Sequence, residues 1–137
     1  MSIFIDTNDL LDVMLCRNDF YPASRAVFEI IETNDINAFV SAVSMSNIFY
    51  ILRKFRQSID DVYSLMDDLS SLFAIAPVTE STITNALALR WKDFEDAVQF
   101  MSARGVNVEY IITRNKSDFE TFEIPCLSPS EYITQFK

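Results

Sequence analysis

Histidine is absent from this chain and glycine occurs once, at Gly105, so two large groups of chemistry fall away before any motif is read. Without histidine there is no Ser/His/Asp or Cys/His nucleophile and no His-ligated zinc site. One glycine supports neither a Walker loop nor a G-x-G-x-x-G turn, since both need several residues without a Cβ where backbone meets phosphate. The two cysteines, Cys16 and Cys126, are far apart and form no C-x-x-C pair, which reads as two buried free thiols in a reducing compartment. Long apolar runs are also missing: none approaches the ~20 residues of a membrane-spanning helix. Met1-Ser2-Ile3-Phe4-Ile5-Asp6 carries no basic leader region, so the expectation is a soluble cytoplasmic protein, neither secreted nor membrane-bound.

What remains for chemistry is carboxylate. The 137 residues hold 20 acidic against 11 basic side chains, a formal net charge of −9, and 50% of them are hydrophobic, including 12 Phe and 5 Tyr. With no Pro-, Gly- or Ser-rich linker, residues 1–137 read as one domain able to bury roughly two-thirds of its unfolded surface. The phenylalanines read as core. An acidic surface repels polyphosphate, which weighs against a nucleic-acid partner unless the acids are gathered in a site that cations fill.

Ile3-Phe4-Ile5 is a short apolar run stopping at Asp6-Thr7-Asn8, where capping and turn residues begin. It reads as a buried parallel strand entering a helix that carries Leu10, Leu11, Met14 and Leu15. Pro22 opens a second helix through Ala26, Val27, Ile30 and Ile31. Ala38-Phe39-Val40, Phe73-Ala74-Ile75-Ala76, Tyr110-Ile111-Ile112-Thr113 and Cys126-Leu127 are the further strands. Helical spacing recurs from Ser44 to the basic group Arg53-Lys54-Phe55-Arg56, over Val62, Leu65, Met66 and Leu69, and over Ile83, Ala86, Leu87 and Arg90. It recurs again over Phe94, Ala97, Val98 and Met101, with Gly105 placed to end that helix. Ser128-Pro129-Ser130-Glu131 is a capping-box start for the last helix. Strands alternating with helices imply right-handed crossovers, a parallel sheet with helices on both faces, and ligands beyond the carboxyl ends of the strands.

That rule selects three acidic places. Asp6 closes an apolar strand, where a carboxylate is costly without a partner. Asp93-Phe94-Glu95-Asp96 sets Asp93 and Asp96 three apart at a helix start, and Thr113-Arg114-Asn115-Lys116-Ser117-Asp118 sets an amide and a carboxylate just past a strand. Each pair also has the spacing of a simple cap. If the three places meet, the repulsion raises at least one pKa unless a cation neutralises it, and hard oxygen donors in an incomplete cage suit Mg²⁺ or Mn²⁺. Asp9 and Asp12 read as dipole partners of a first helical turn, and Asp60-Asp61 and Asp67-Asp68 as solvated helix faces.

Phe4-Ile5-Asp6-Thr7-Asn8, then Asp93-Phe94-Glu95-Asp96-Ala97, then Ile112-Thr113-Arg114-Asn115-Lys116-Ser117-Asp118-Phe119 resemble, in order and spacing, the PIN-domain family, including VapC-like toxins. The similarity extends along essentially the whole chain. It implies a three-layer α/β/α fold with a central parallel sheet, Mg²⁺- or Mn²⁺-dependent cleavage of RNA, commonly a homodimer, and in toxin members an antitoxin that silences the site. Carried over, Asp6, Asp96 and Asp118 match the acidic positions, Asn115 a site that holds Asp or Asn, and Thr113 the strand-end Thr or Ser. Asp93 is an additional candidate donor, and Asn8 and Asn47 sit beside the set. Many VapC-like members carry a glutamate where Asn47 stands, so the resemblance also admits a catalytically weakened PIN fold that works by protein contacts. Phosphate contacts are available from Arg17, Arg53, Lys54, Arg56, Arg114 and Lys116, with Arg114 and Lys116 nearest the site; the run from Arg53 to Arg56 serves equally as a helix C-terminal cap. A phosphoacceptor domain would also use strand-end aspartates with Thr113 and Lys116, but its acidic pair belongs to one early loop, and here the acids are spread along the chain.

Overall fold

Alternating side chains of the first strand go to opposite sides of a sheet, and the rest of the molecule is arranged by that choice. The computed structural model describes residues 1–17, 19–55, 58–121 and 123–136. The chain runs β1 (Ser2–Ile5), α1 (Thr7–Met14), α2 (Tyr21–Asn34), β2 (Asn37–Ser41), α3 (Ala42–Lys54), α4 (Ile59–Leu72) and β3 (Ala74–Ala76). It continues with α5 (Glu80–Leu89), α6 (Phe94–Gly105), β4 (Tyr110–Ile112), a 3₁₀ turn (Lys116–Asp118), β5 (Cys126–Leu127) and α7 (Pro129–Phe136). The strands stand in the order β3-β2-β1-β4-β5, and every neighbouring pair is parallel. Successive strands step away from β1 on either side, so the crevice of the fold opens between the carboxyl ends of β1 and β4.

Ile3 and Ile5, with Ala38, Val40 and Ile112, face a core shared with α1, α2, α3, α4 and α7. Phe4 and Ile111 point the other way, onto Phe100 and Ala103 of α6 and onto Phe119. Helix α5 packs against α6 through Ala86, Ala97 and Val98. This is the expected three-layer α/β/α arrangement. Full burial of a side chain such as Ile3 or Phe4 contributes roughly 1.5–3 kcal/mol, which makes the period-two pattern of β1 the strongest local determinant of the fold.

Several local expectations hold. Pro22 lies in the first turn of α2, Arg53 and Lys54 close α3, and Asp60, Asp61, Asp67 and Asp68 are exposed. The Ser128 N–H donates to Glu131 Oε1 at 2.9 Å and the Glu131 N–H to Ser128 Oγ at 3.1 Å, a reciprocal cap on α7. Others need correction. Phe73 caps α4 instead of joining β3. Phe20, Phe55 and Phe94 are 40%, 62% and 45% exposed, so the phenylalanines are not uniformly core; Phe122 lies outside the described residues, as does Arg56. The cysteines are free but not buried, because Cys16 sits in a left-handed turn (φ 48°) leaving α1 and Cys126 on the short edge strand β5. Among the described residues no helix is long and apolar enough to cross a membrane.

Gly105 does not terminate α6 by a left-handed turn. It is the last helical residue, and the positive φ falls at Asn107 (55°). A Cβ at Gly105 would meet nothing within 4 Å. Gly105→Ala is therefore expected to stabilise the fold by about 0.5–1 kcal/mol, read as a rise of a few degrees in melting temperature; an unchanged or lower value would contradict the helical placement.

Candidate acidic active site

The β1–β4 register pairs Ile5 with Ile112, so the residues that follow, Asp6 and Thr113, leave the sheet side by side. The Asp6 carboxylate is 2% exposed and both of its oxygens are held. Oδ1 accepts from Gln99 Nε2 at 2.9 Å, and Oδ2 accepts from Thr113 Oγ1 at 2.9 Å. Gln99 Nε2 also lies 3.5 Å from Asp96 Oδ1, so those oxygens of Asp6 and Asp96 are closer to each other than the sum of the two distances. Its amide cannot turn over, because Gln99 Oε1 accepts from the Thr7 N–H at 3.0 Å and from Thr7 Oγ1 at 3.2 Å. Gln99 was not anticipated from sequence. Its only signal is its place three residues after Asp96, on the same face of α6.

Asp93 caps α6, its Oδ1 accepting from the Asp96 N–H at 3.1 Å. It also lines, with Lys92, Asp96, Ser117, Asp118 and Glu120, a cleft of about 440 Å³. The cap and the cleft readings of Asp93 are thus compatible. Asp118 ends the 3₁₀ turn and is exposed. Asn115 precedes that turn without a side-chain cap bond, its N–H donating to Thr113 Oγ1 at 3.0 Å, and Asn8 is partly exposed on the first turn of α1. Asn47 donates its amide to Glu95 Oε2, which brings a carboxylate beside the uncharged side chain. Among the described residues no three Asp, Glu, Cys or His side chains converge closely enough to enclose an ion. The acids therefore meet more loosely than the sequence suggested: a bridged pair, Asp6 and Asp96, with Asp118 in the same cleft as Asp96.

Burial dominates the electrostatics. It pushes the Asp6 pKa up against the bonds from Gln99 and Thr113 and the nearby Asn8 main chain, with the Asp118 charge adding to the rise. Burial, then the charges of Asp93, Asp6, Asp118 and Glu95, push Asp96 up to about 7. Glu95 is raised by burial and by Asp93 and Asp6, against the bond from Asn47. Asp9 is pushed up to about 8 by burial and the Asp6 charge; its Oδ2 has no hydrogen-bond partner. Asp9 stands in the first turn of α1 as expected of a dipole partner, whereas Asp12 lies beyond it; both are buried, 1% and 0% exposed, against the segment that follows β4.

The cations expected to face substrate are engaged elsewhere. Asp12 is forked between Arg114 Nε at 2.8 Å and Arg17 Nη1 at 3.3 Å, and the Arg114 guanidinium lies 3.9 Å above the Phe20 ring. Lys116 Nζ is 2.8 Å from Glu131 Oε1, an exposed pair.

A parallel sheet with carboxylates gathered where the strand order turns defines an α/β/α protein with an acidic cleft. The PIN-domain family profile matches residues 2–117, ending one residue before Asp118, and the chain belongs to that family. It is similar to ribonuclease VapC1 of Aquifex aeolicus (strain VF5), 24% identical over 142 residues that cover 98% of this chain and 95% of that protein. Among solved structures it resembles VapBC2 from Rickettsia felis bound to a promoter DNA fragment (14% identity, 93% of this chain and 98% of that one, TM-score 0.70). A second is VapBC-1 from nontypeable Haemophilus influenzae (15% identity, 95% and 99%, TM-score 0.70). At these identities the structural likeness establishes the fold.

Carboxyl groups whose folded pKa values are raised bind more protons in the folded chain than in the unfolded one. Stability without metal therefore falls as pH rises from the unfolded carboxylate range, about 4, through the raised values of about 7 and about 8 for Asp96 and Asp9. Thermal melts in EDTA are expected to show a melting temperature that drops steadily between about pH 5 and about pH 8. A rising or flat profile would contradict these environments.

Proposed function

We propose that this protein is a divalent-metal-dependent endoribonuclease, the toxin of a toxin–antitoxin pair, with Asp6, Asp96 and Asp118 as its catalytic and metal-binding acids and Asp93 and Asn115 as further oxygen donors. The observation that carries this reading is the Gln99 bridge, which keeps two buried carboxylates close together where burial and repulsion both oppose their charge. A cation relieves that opposition. Family membership and the names of the relatives support the reaction class and the antitoxin partner. A homodimer belongs to the same reading.

The donor set fits Mg²⁺ or Mn²⁺. The atoms are hard oxygens, and the open cleft lined by Asp93, Asp96, Asp118 and Glu120 leaves room for the waters that Mg²⁺ retains. Such an ion, when bound, supplies a Lewis acid and lowers the pKa of a water. The chain's own part is orientation and proton handling. Thr113 and Gln99 fix both oxygens of Asp6, Asp93 caps the turn that presents Asp96, and Asn47 holds Glu95. In the metal-free chain Asp96, pushed up to about 7, holds a proton near neutral pH, and a cation bound there would displace it.

A second reading, a PIN fold that acts only through protein contacts, is favoured by one observation: no three acidic side chains enclose an ion among the described residues. Mn²⁺-dependent cleavage of RNA separates the two. Wild type is expected to cleave and to stop on addition of EDTA, while Asp6→Asn and Asp96→Asn lose on the order of 100-fold or more in kcat with melting temperatures no lower than wild type. Equal cleavage by wild type and both variants would remove the assignment.

A further inference from the structure

The cleft contains a cation, Lys92, that no motif in the chain singles out. Lys92 precedes the Asp93 cap and lines the cleft with Asp93, Asp96 and Asp118. Its backbone is anchored: the Lys92 N–H donates to Glu120 Oε2 at 2.8 Å, and the preceding Trp91 ring packs 5.2 Å from Phe100 and 6.3 Å from Phe119. Its ammonium forms no ion pair among the described residues. Arg114, Arg17 and Lys116 are all paired with carboxylates, two of them with a fully buried one.

Arg114 has a different surrounding. Asp6, Asp9 and Asp12 follow one another at a spacing of three along α1 and its cap, and each accepts a bond from one of the two residues after β4. Asp6 accepts from Thr113 Oγ1 at 2.9 Å, Asp9 Oδ1 from the Arg114 N–H at 3.2 Å, and Asp12 Oδ2 from Arg114 Nε at 2.8 Å. Phe20 covers the guanidinium. Moving that guanidinium to a substrate would take the shorter of its two arginine contacts from the buried Asp12 and leave the 3.3 Å contact to Arg17, an unfavourable exchange.

We propose that Lys92 is the residue that grips a substrate phosphate at the acid cleft, and that Arg114 is a positioning residue that fastens the 113–118 segment onto α1. The ligand is an RNA backbone phosphate flanking the one to be cut. The inference rests on the nuclease reading above. It divides two roles that the sequence would give to one kind of residue: Lys92 contributes attraction, and Arg114 keeps Thr113 and Asp118 in register with Asp6.

The roles predict opposite kinetic signatures. With Mn²⁺ and an unstructured RNA oligonucleotide, Lys92→Ala is expected to raise KM about tenfold with kcat little changed. It also reduces the slope of log kcat/KM against log salt by about 0.7, the loss of one phosphate contact to a single strand. Lys92→Arg restores both. Arg114→Lys, which keeps a charge but not the forked geometry, is expected to lower kcat on the order of 100-fold and to leave the salt slope at its wild-type value. Anisotropy of the fluorescein-labelled oligonucleotide in Ca²⁺ reads the Lys92 contact without cleavage, and melting curves identify any variant that fails to fold. If wild type cleaves but Lys92→Ala keeps its KM and salt slope, or Arg114→Lys loses salt slope instead of kcat, the division of roles is overturned. If wild type does not cleave at all, the preceding proposal fails, and anisotropy alone then decides whether Lys92 binds the strand.

Discussion

The structure turns on one carboxylate with almost no access to water. Asp6 ends the central strand, and the sheet leaves it no direction but the crevice between β1 and β4. A buried carboxylate without donors would cost several kcal/mol, so its survival depends on Gln99 and Thr113, each 2.9 Å from a different oxygen. These two bonds also dictate geometry. Thr113 ties the end of β4 to the end of β1, and Gln99 ties α6 from the opposite layer to the same atom group, bringing Asp96 with it. The site is therefore a consequence of how one strand terminus is satisfied.

The same logic extends along α1. Helical spacing puts Asp6, Asp9 and Asp12 against the segment after β4, and each accepts from residue 113 or 114. The first two are raised in pKa by burial, while Asp12 is matched by two arginines. A chain of net charge −9 thus holds four of its 20 acids, Asp6, Asp9, Asp12 and Asp96, in the interior. The repulsion expected between such a chain and polyphosphate would be offset at the cleft by a cation held there.

Legibility followed the physics of each element. The order of strands and helices and the place of Asp6 were readable, because an apolar run cut off by an acid has one satisfactory position in a parallel sheet. The Ser128 and Glu131 cap was readable because both partners lie within one turn. The first-turn place of Asp9 was readable, but the burial of Asp9 and Asp12 was not, because helical position alone does not tell which face a neighbouring loop will cover. Gln99, Glu95 and Lys92 escaped notice because their partners Asp6, Asn47 and Glu120 are distant in sequence. The surface positions of Cys16, Phe20 and Phe55 likewise come from turns and helix ends, where a hydrophobic residue type says little about burial.

The central claim is that Asp6 and Asp96 share a divalent cation in place of protons. Titration calorimetry with Mn²⁺, run in two buffers of different ionisation enthalpy, measures the binding and the protons displaced together. Binding is expected to saturate and to release protons at about pH 6, with release shrinking by about pH 8.5 as the carboxyl groups become charged beforehand, and to be lost in Asp6→Asn and Asp96→Asn. Absence of saturable binding, or binding that both variants retain unchanged, would contradict the account.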